Sequence, residues 1–251
     1  MLNVVVPMAG LSSLSSELEY PYPSPLVEIH GRPLIQHVIE NLKTLDERVA
    51  FTVILRAEDC RRFHLDSTVQ LLTEGRAHIV RLKQNTAGAL CSVLLAVEHF
   101  AGDAPLVIAN ADQIFDSEAL PTFMASVRRA EPDAACPVFE SVHPRWSYVR
   151  ITEDQVVEAV EKNPISRHAV AGLYYFRTGQ KFAELAMQAI LNGRHTDDKY
   201  YTSAVLNEYI LSGLAVQPVP VRTEHYHSLF TAQRVHDYER RLRGEQRRGA
   251  E

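Results

Sequence analysis

Four short apolar runs, Leu2–Val6, Phe51–Leu55, His78–Leu82 and Leu106–Ala109, are rich in β-branched residues and are separated by segments with helical spacing. Strand-length runs that alternate with helices are the signature of βαβ units, which wind helices around a mostly parallel sheet. The pattern predicts a Rossmann-like, mixed, mostly parallel sheet flanked by helices. Between the first two runs, "RPLIQHVIENLK" carries Leu34, Ile35, Val38, Ile39 and Leu42 on one helical stripe, with Pro33 suited to a first turn. "AGALCSVLLAVEHF" is apolar on nearly every side around Leu90, Val93, Leu94 and Val97, which predicts a buried helix opening at Gly88.

The second half changes character. "DAACPVFESV", "WSYVRI", "QVVEAVE" and "HAVAGLYYFRT" are closely spaced strand patterns, as in a mixed or antiparallel extension of the sheet. Helices are expected over 179–191 and 202–211, then a strand in "LAVQPVPV" and a last helix over 231–243. With no repeat or linker, the expectation is a single domain over 1–243 and a charged tail over 244–251.

Hydrophobic residues at 46% and charged residues at 23% fit a globular chain and exclude a disordered one. A formal charge of -5 gives no global basic field, so wrapping of nucleic acid is excluded and an anionic ligand must be held locally. Cys60, Cys91 and Cys136 are odd in number, far apart and without a C-x-x-C, which argues against disulfides and structural zinc and for a reduced, cytoplasmic protein. No apolar run reaches the ~18 residues of a spanning helix, so no membrane insertion is expected. The opening "MLNVVVPMAG" lacks the basic start of a signal peptide. Assembly as a homo-oligomer is left open.

Two segments carry chemistry on their own. In "VIANADQIFD", Asp112 follows an apolar strand at the carboxyl edge of the expected sheet, where open α/β sheets bind ligands. A carboxylate there can hold Mg2+ bridged to substrate phosphates; the plainer alternative is that Asn110 and Asp112 cap a turn. In "VEAVEKNPIS", Glu161 can bind a sugar hydroxyl and Lys162 a phosphate, or the two can form an exposed charged pair.

In order along the chain, "VVVPMAG", "PLVEIHGRPLIQHVIENL", "QNTAGALCSVLLAVEHF", "VIANADQIFD", "HPRWSYVRI", "VVEAVEKNPISRHAVAGLYYF" and "YYTSAVLNEYI" resemble the sugar-1-phosphate nucleotidyltransferases, or nucleotide-sugar pyrophosphorylases. Within them the sequence is most similar to the predicted nucleotidyltransferases of capsular polysaccharide clusters. The resemblance implies a nucleotide-diphospho-sugar transferase (GT-A-like) fold, an NTP or nucleotide-sugar and a phosphorylated acceptor as partners, and Mg2+ as cofactor. It also implies that Ala9 and Gly10 offer backbone to the nucleotide and that Gln84, Thr86 and Gly88 lie against the base. Asp112 would bind the metal, Glu161 and Lys162 would face the acceptor, with Asp112 and Lys162 catalytic, and Gly172 would leave room for the acceptor.

The signature loop departs from that family. Where the family pattern runs approximately P-M-A-G-x-G-S-R-F, Ser12 stands at the second glycine, Leu14 at the arginine and Ser15 at the aromatic; in P-S-P-L, Ser24 stands at the lysine. Near the C-terminus "HSLFTAQRV" has Phe230 at a glycine and Ala232 at a proline of the pattern G-L-G-T-P. Each charge-assisted contact to phosphate is worth ~1.5–3 kcal/mol, so two missing cations must be replaced if transfer is to survive. Arg32, Lys83, Arg145 and Lys199 are the candidates. Glu224, His225 and His227 in "TEHYH" form either a second metal-ligand set or surface polarity.

Three functions remain open at this level: a nucleotidyltransferase of capsule or lipopolysaccharide precursor synthesis, a catalytically impaired nucleotide-sugar-binding or regulatory homologue, and a GT-A-type glycosyltransferase. Alanine at the middle of N-A-D, where a D-x-D would stand, argues against the last.

Overall fold

The computed structural model describes residues 1–10, 14 and 20–248; Ser12 and Ser15 lie outside them. Strand β1 (Leu2–Pro7) runs parallel to β4 (Val49–Arg56) on one side and to β6 (Leu106–Ala109) on the other, and β5 (His78–Leu82) closes that edge beside β4. All four lie where the β-branched runs predict them. Such runs have no polar alternation because both faces of the sheet are covered. Val4, Val6 and Val53 enter one core cluster, while Val5, Ile54 and Ile108 enter the other on the opposite face.

A hairpin of β2 (Glu28–Ile29) and β3 (Arg32–Pro33) leads into α1 (Leu34–Leu42), which buries the five predicted apolar residues. Pro33 is the residue before the helix, extended at φ -66°, rather than part of its first turn. After β4 come α2 (Ala57–Phe63) and α3 (Leu65–Leu72).

The expected helix over 87–100 is shorter than its apolar run: α4 spans Ala89–Leu94 and a separate 3-10 turn spans Val97–His99. Only one side packs on the sheet, through Leu90, Val93, Ala96 and Phe100, and Leu95 is 58% exposed. An apolar run reads as buried all round when its length, not its facing, is the only signal.

The antiparallel extension forms as expected. Strand β8 (Ala134–Glu140) pairs with β11 (His168–Val170) and β12 (Leu173–Phe176), and β9 (Ser147–Thr152) pairs with β10 (Gln155–Glu161) and with β11. β12 also pairs antiparallel with β6, which welds the two halves into one mixed sheet. β11 and β12 follow one side of β8 with an interruption at Ala171 and Gly172. β13 (Val216–Pro220) runs parallel to β8.

Helix α5 (Ala119–Ala130) precedes β8, and α6 (Gly179–Leu191) begins at Thr178, whose hydroxyl accepts the Lys181 N–H at 3.2 Å. α7 (Ser203–Leu211) packs against α6 and β10. The last helix, α8 (Ala232–Arg248), continues past its expected end at 243.

A small second sheet, β7 (Gln113–Phe115) with β14 (Tyr226–Ser228), bends the chain after Asp112 back over the first core. It is locked by Asp116, which meets His225 and His227 at 2.8 Å each and accepts a hydrogen bond from Arg241 of α8 at 2.6 Å. The two histidines of "TEHYH" are therefore engaged by the Asp116 carboxylate, and Arg241 also donates to the Glu224 carbonyl.

Burial works against the Asp116 charge, but the hydrogen bonds and charges of His227 and Arg241 outweigh it and hold the carboxyl below its ordinary range. A depressed carboxyl contributes stability above the unfolded-state value of about 3.9, and that contribution is lost as pH falls through the folded value. Asp116→Asn is therefore expected to lower the melting temperature by a few degrees at pH 7, with the gap to wild type closing below pH 4. A gap that stays constant from pH 7 to pH 3 in thermal melts would contradict the link.

Candidate active site

Asp112 sits three residues beyond the carboxyl end of β6, and the Leu229 N–H donates to its carbonyl at 2.6 Å. Its carboxylate accepts no hydrogen bond from another described side chain. Burial pushes this carboxyl up, opposed by its own backbone amide and by the charge of Arg145. It lines two neighbouring cavities, one of about 470 Å³ and one of about 230 Å³, both of which also include Ala89 and Asn110.

The larger cavity is the acceptor side of the expected site. Glu161 closes β10, and one of its oxygens accepts hydrogen bonds from the Ser147 hydroxyl and from the Ser203 hydroxyl at 2.8 Å. Ser147 lies 3.3 Å from the Tyr174 hydroxyl. Burial pushes the Glu161 carboxyl up, and the two serines and Lys162 only partly offset this.

Lys162 follows in the left-handed region at φ 56°, with its amide donating to the Trp146 carbonyl at 2.9 Å. Its ammonium meets Asp197 at 2.9 Å and lies 5.3 Å from the Tyr201 ring centre. Hydrogen bonds to Tyr201 and Asp197 hold its pKa well above the usual lysine value, so it is a fixed positive charge rather than a proton donor.

Gly172 stands at the β11–β12 interruption at φ 57°, and its carbonyl accepts from the Asn110 amide at 2.9 Å and from the Gln113 side chain at 2.8 Å. Only a residue without Cβ fits, because a Cβ would lie 2.1 Å from Gln113 Oε1. The structure thus brings Asp112, Glu161, Lys162 and Gly172 to one cavity.

The nucleotide-side residues divide. Gly10, Leu14 and Ser24 line the smaller cavity, and Ala9, Gly10, Thr86, Gly88 and Lys199 line a third of about 330 Å³ that shares Ala89 with both others. Gly88 is at φ 123°, where a Cβ would come 2.3 Å from the Tyr200 carbonyl oxygen. Thr86 turns its hydroxyl to the Gly88 carbonyl at 2.9 Å and to Ser92 at 2.7 Å. Gln84 is exposed and lines none of these cavities.

Of the four candidate cations, Arg32 is engaged with Glu40 at 2.9 Å and His37 at 3.3 Å, and Lys83 is exposed away from the cavities. Lys199 reaches the third cavity and Arg145 the one that holds Asp112 and Glu161. Leu14 is 1% exposed and belongs to the core, so an arginine there would carry its charge into apolar surroundings. The clean restoration is therefore Ser24→Lys alone. It is expected to tighten NTP binding about tenfold, as one charge-assisted contact allows. Calorimetry showing unchanged affinity would mean that position 24 does not face the triphosphate.

Aromatic residues are what the sequence reading missed. Trp146, Tyr174, Tyr201, Tyr226 and Phe230 all line the acceptor cavity. The available signal was Phe230 itself, a large ring in place of a glycine. Among the described residues, no group of three or more His, Cys, Asp or Glu is placed to hold a metal. A single open carboxylate matches a cation held mainly by phosphates.

The profile of the MobA-like NTP transferase domain matches residues 5–248. A nucleoside-diphosphate-sugar pyrophosphorylase from Vibrio cholerae RC9 is similar at TM-score 0.82 and 21% identity, over 94% of this chain and 99% of that one. A putative glucose-1-phosphate thymidylyltransferase from Bacillus anthracis, solved with a sucrose, gives 0.69 and 19% over 96% of each chain. The inositol-1-phosphate CTP transferase from T. maritima gives 0.70 and 16%, over 92% and 90%. The fold is that of the nucleotide-diphospho-sugar transferases. Among the described residues, no helix is long and apolar enough to cross a membrane.

Proposed function

The chain belongs to the MobA-like NTP transferase domain family, and from that premise we propose that it transfers a nucleotidyl group from an NTP to a sugar 1-phosphate or similar phosphorylated acceptor, releasing pyrophosphate. The reading places it in the cytoplasm, in the synthesis of capsule or lipopolysaccharide precursors. The observation that carries it is the position of Asp112, whose carboxylate accepts no hydrogen bond from another described side chain, at the junction of the two cavities.

A phosphate oxygen of the acceptor attacks the α-phosphorus. The new O–P bond forms as the bond to the bridging oxygen of the β-phosphate breaks, and that oxygen leaves with pyrophosphate. The protein positions the two substrates and offsets charge rather than forming a covalent intermediate. Glu161 is assigned to an acceptor hydroxyl and Lys162 to its phosphate. Ala9, Gly10, Thr86 and Gly88 are assigned to the nucleotide, with Gln84 in the same loop. Asp112 would hold Mg2+, which when bound neutralises charge on the phosphates.

The test is a pyrophosphate-release screen of four NTPs against sugar 1-phosphates and other phosphorylated acceptors with Mg2+. Release with at least one pair is expected. No release with any pair, together with no NTP-dependent thermal shift, overturns the reading. It would favour the second one, a nucleotide-sugar-binding homologue without transfer, for which the observation is the buried Leu14 at the arginine position.

A further inference from the structure

The cavity that joins Asp112, Glu161 and Gly172 holds a cation that the proposed reaction, as assigned so far, does not use. Arg145 lies in the loop between β8 and β9 and lines the cavity with Asp112. Its guanidinium carbon is 3.1 Å from the Phe230 ring centre and 5.4 Å from that of Trp146. A guanidinium held by its face keeps its N–H donors, which lie in its plane, available at the edge.

No described carboxylate forms an ion pair with Arg145. Burial weighs most against its charge, followed by the repulsion of Arg234, in the first turn of α8, and both are opposed by Asp112 and Tyr226. A partly buried guanidinium that no described carboxylate pairs with is poorly compensated until an anion enters. Phosphate is the anion whose geometry the guanidinium fork matches with two parallel hydrogen bonds. Lys162, assigned to the same phosphate, already shares an ion pair with Asp197, so Arg145 adds a charge that no described carboxylate offsets.

We propose that Arg145 binds the phosphate that the acceptor brings to Asp112, so that the positive charge absent from positions 14 and 24 is supplied from the opposite side of the site. The proposal rests on the transfer reading for the identity of the anion, but not for the existence of the anion site. Phe230, which looked like decay of a glycine position, is the platform that fixes the arginine.

Trp146 is the only tryptophan in the chain and lines this cavity, so intrinsic fluorescence reports directly on its occupancy. The probes are inorganic phosphate, glucose 1-phosphate and, as the uncharged control, glucose, titrated into wild type, Arg145→Met and Arg145→Lys. Calorimetry with the same probes is the second measure. Both phosphate probes are expected to bind wild type at millimolar concentration or better. Arg145→Met, which keeps an unbranched side chain for packing, is expected to weaken them about tenfold or more. Arg145→Lys, a point charge without the fork, should fall between, and any binding of glucose should be unchanged.

Affinity for the phosphate probes within twofold of wild type in Arg145→Met overturns the proposal, as does a wild type that binds neither probe. The two readings separate cleanly. Arginine-dependent phosphate binding without pyrophosphate release upholds the anion site and removes the transfer reaction. Pyrophosphate release that is indifferent to Arg145→Met does the reverse.

Discussion

Asp112→Ala is expected to reduce pyrophosphate release by about 10²–10³-fold or more, the scale of losing one preorganised group that acts on developing charge. Its carboxylate is bonded to no other described side chain, so the loss is not a loss of scaffolding. Burial raises its pKa, which means that the folded protein holds the charged form at a cost. That cost is present above the folded pKa and vanishes at low pH, so removing the carboxyl should leave the melting temperature at pH 7 unchanged or slightly higher. The combination of lost activity with retained stability separates a reacting-site role from turn capping, which predicts the opposite. The alanine variant should also lose any Mg2+-dependent thermal shift in the presence of NTP. Activity within tenfold of wild type would move the metal to another residue.

The parallel half of the sheet was legible because its strands are covered on both faces and therefore read as unbroken β-branched runs, with α1 on a clear helical stripe between them. That Asp112, Glu161, Lys162 and Gly172 share one cavity was legible through the end of an apolar strand, the charged pair before Pro164 and, for Gly172, the family resemblance. What the sequence hid was facing and partnership. The run over 87–100 has the composition of a buried helix, yet its far side is solvent because only one face meets the sheet. "TEHYH" has metal-ligand composition, yet Asp116, distant in sequence, engages both His225 and His227. Arg145 and Phe230 are 85 positions apart (230 minus 145), and no local pattern announces that one stacks on the other.

Gly172→Val is expected to damage stability and activity together, and the reason lies in what surrounds one missing Cβ. At φ 57° any side chain is strained by roughly 1–2 kcal/mol, and a β-branched one is a genuine outlier. The added carbon would come 2.1 Å from Gln113 Oε1 and 2.7 Å from Asn110 Nδ2. Gln113 cannot simply swing away, because it is 3% exposed, donates to the Gly172 carbonyl and accepts from the Tyr226 hydroxyl at 3.2 Å. Displacing it leaves buried polar groups unpaired at about 1–3 kcal/mol more. For a chain of this size the sum corresponds to a melting temperature lower by on the order of 10 °C. Asn110 and Asp112 border the same cavity, so the displacement should also cost about 10²-fold in kcat/KM through misplacement of the acceptor. Gly102→Val is the control, since no described atom lies within 4 Å of a Cβ there. If Gly172→Val melts within 2 °C of that control, the β11–β12 interruption is not the rigid wall of the acceptor cavity, and acceptor selection must rest on the aromatic side chains instead.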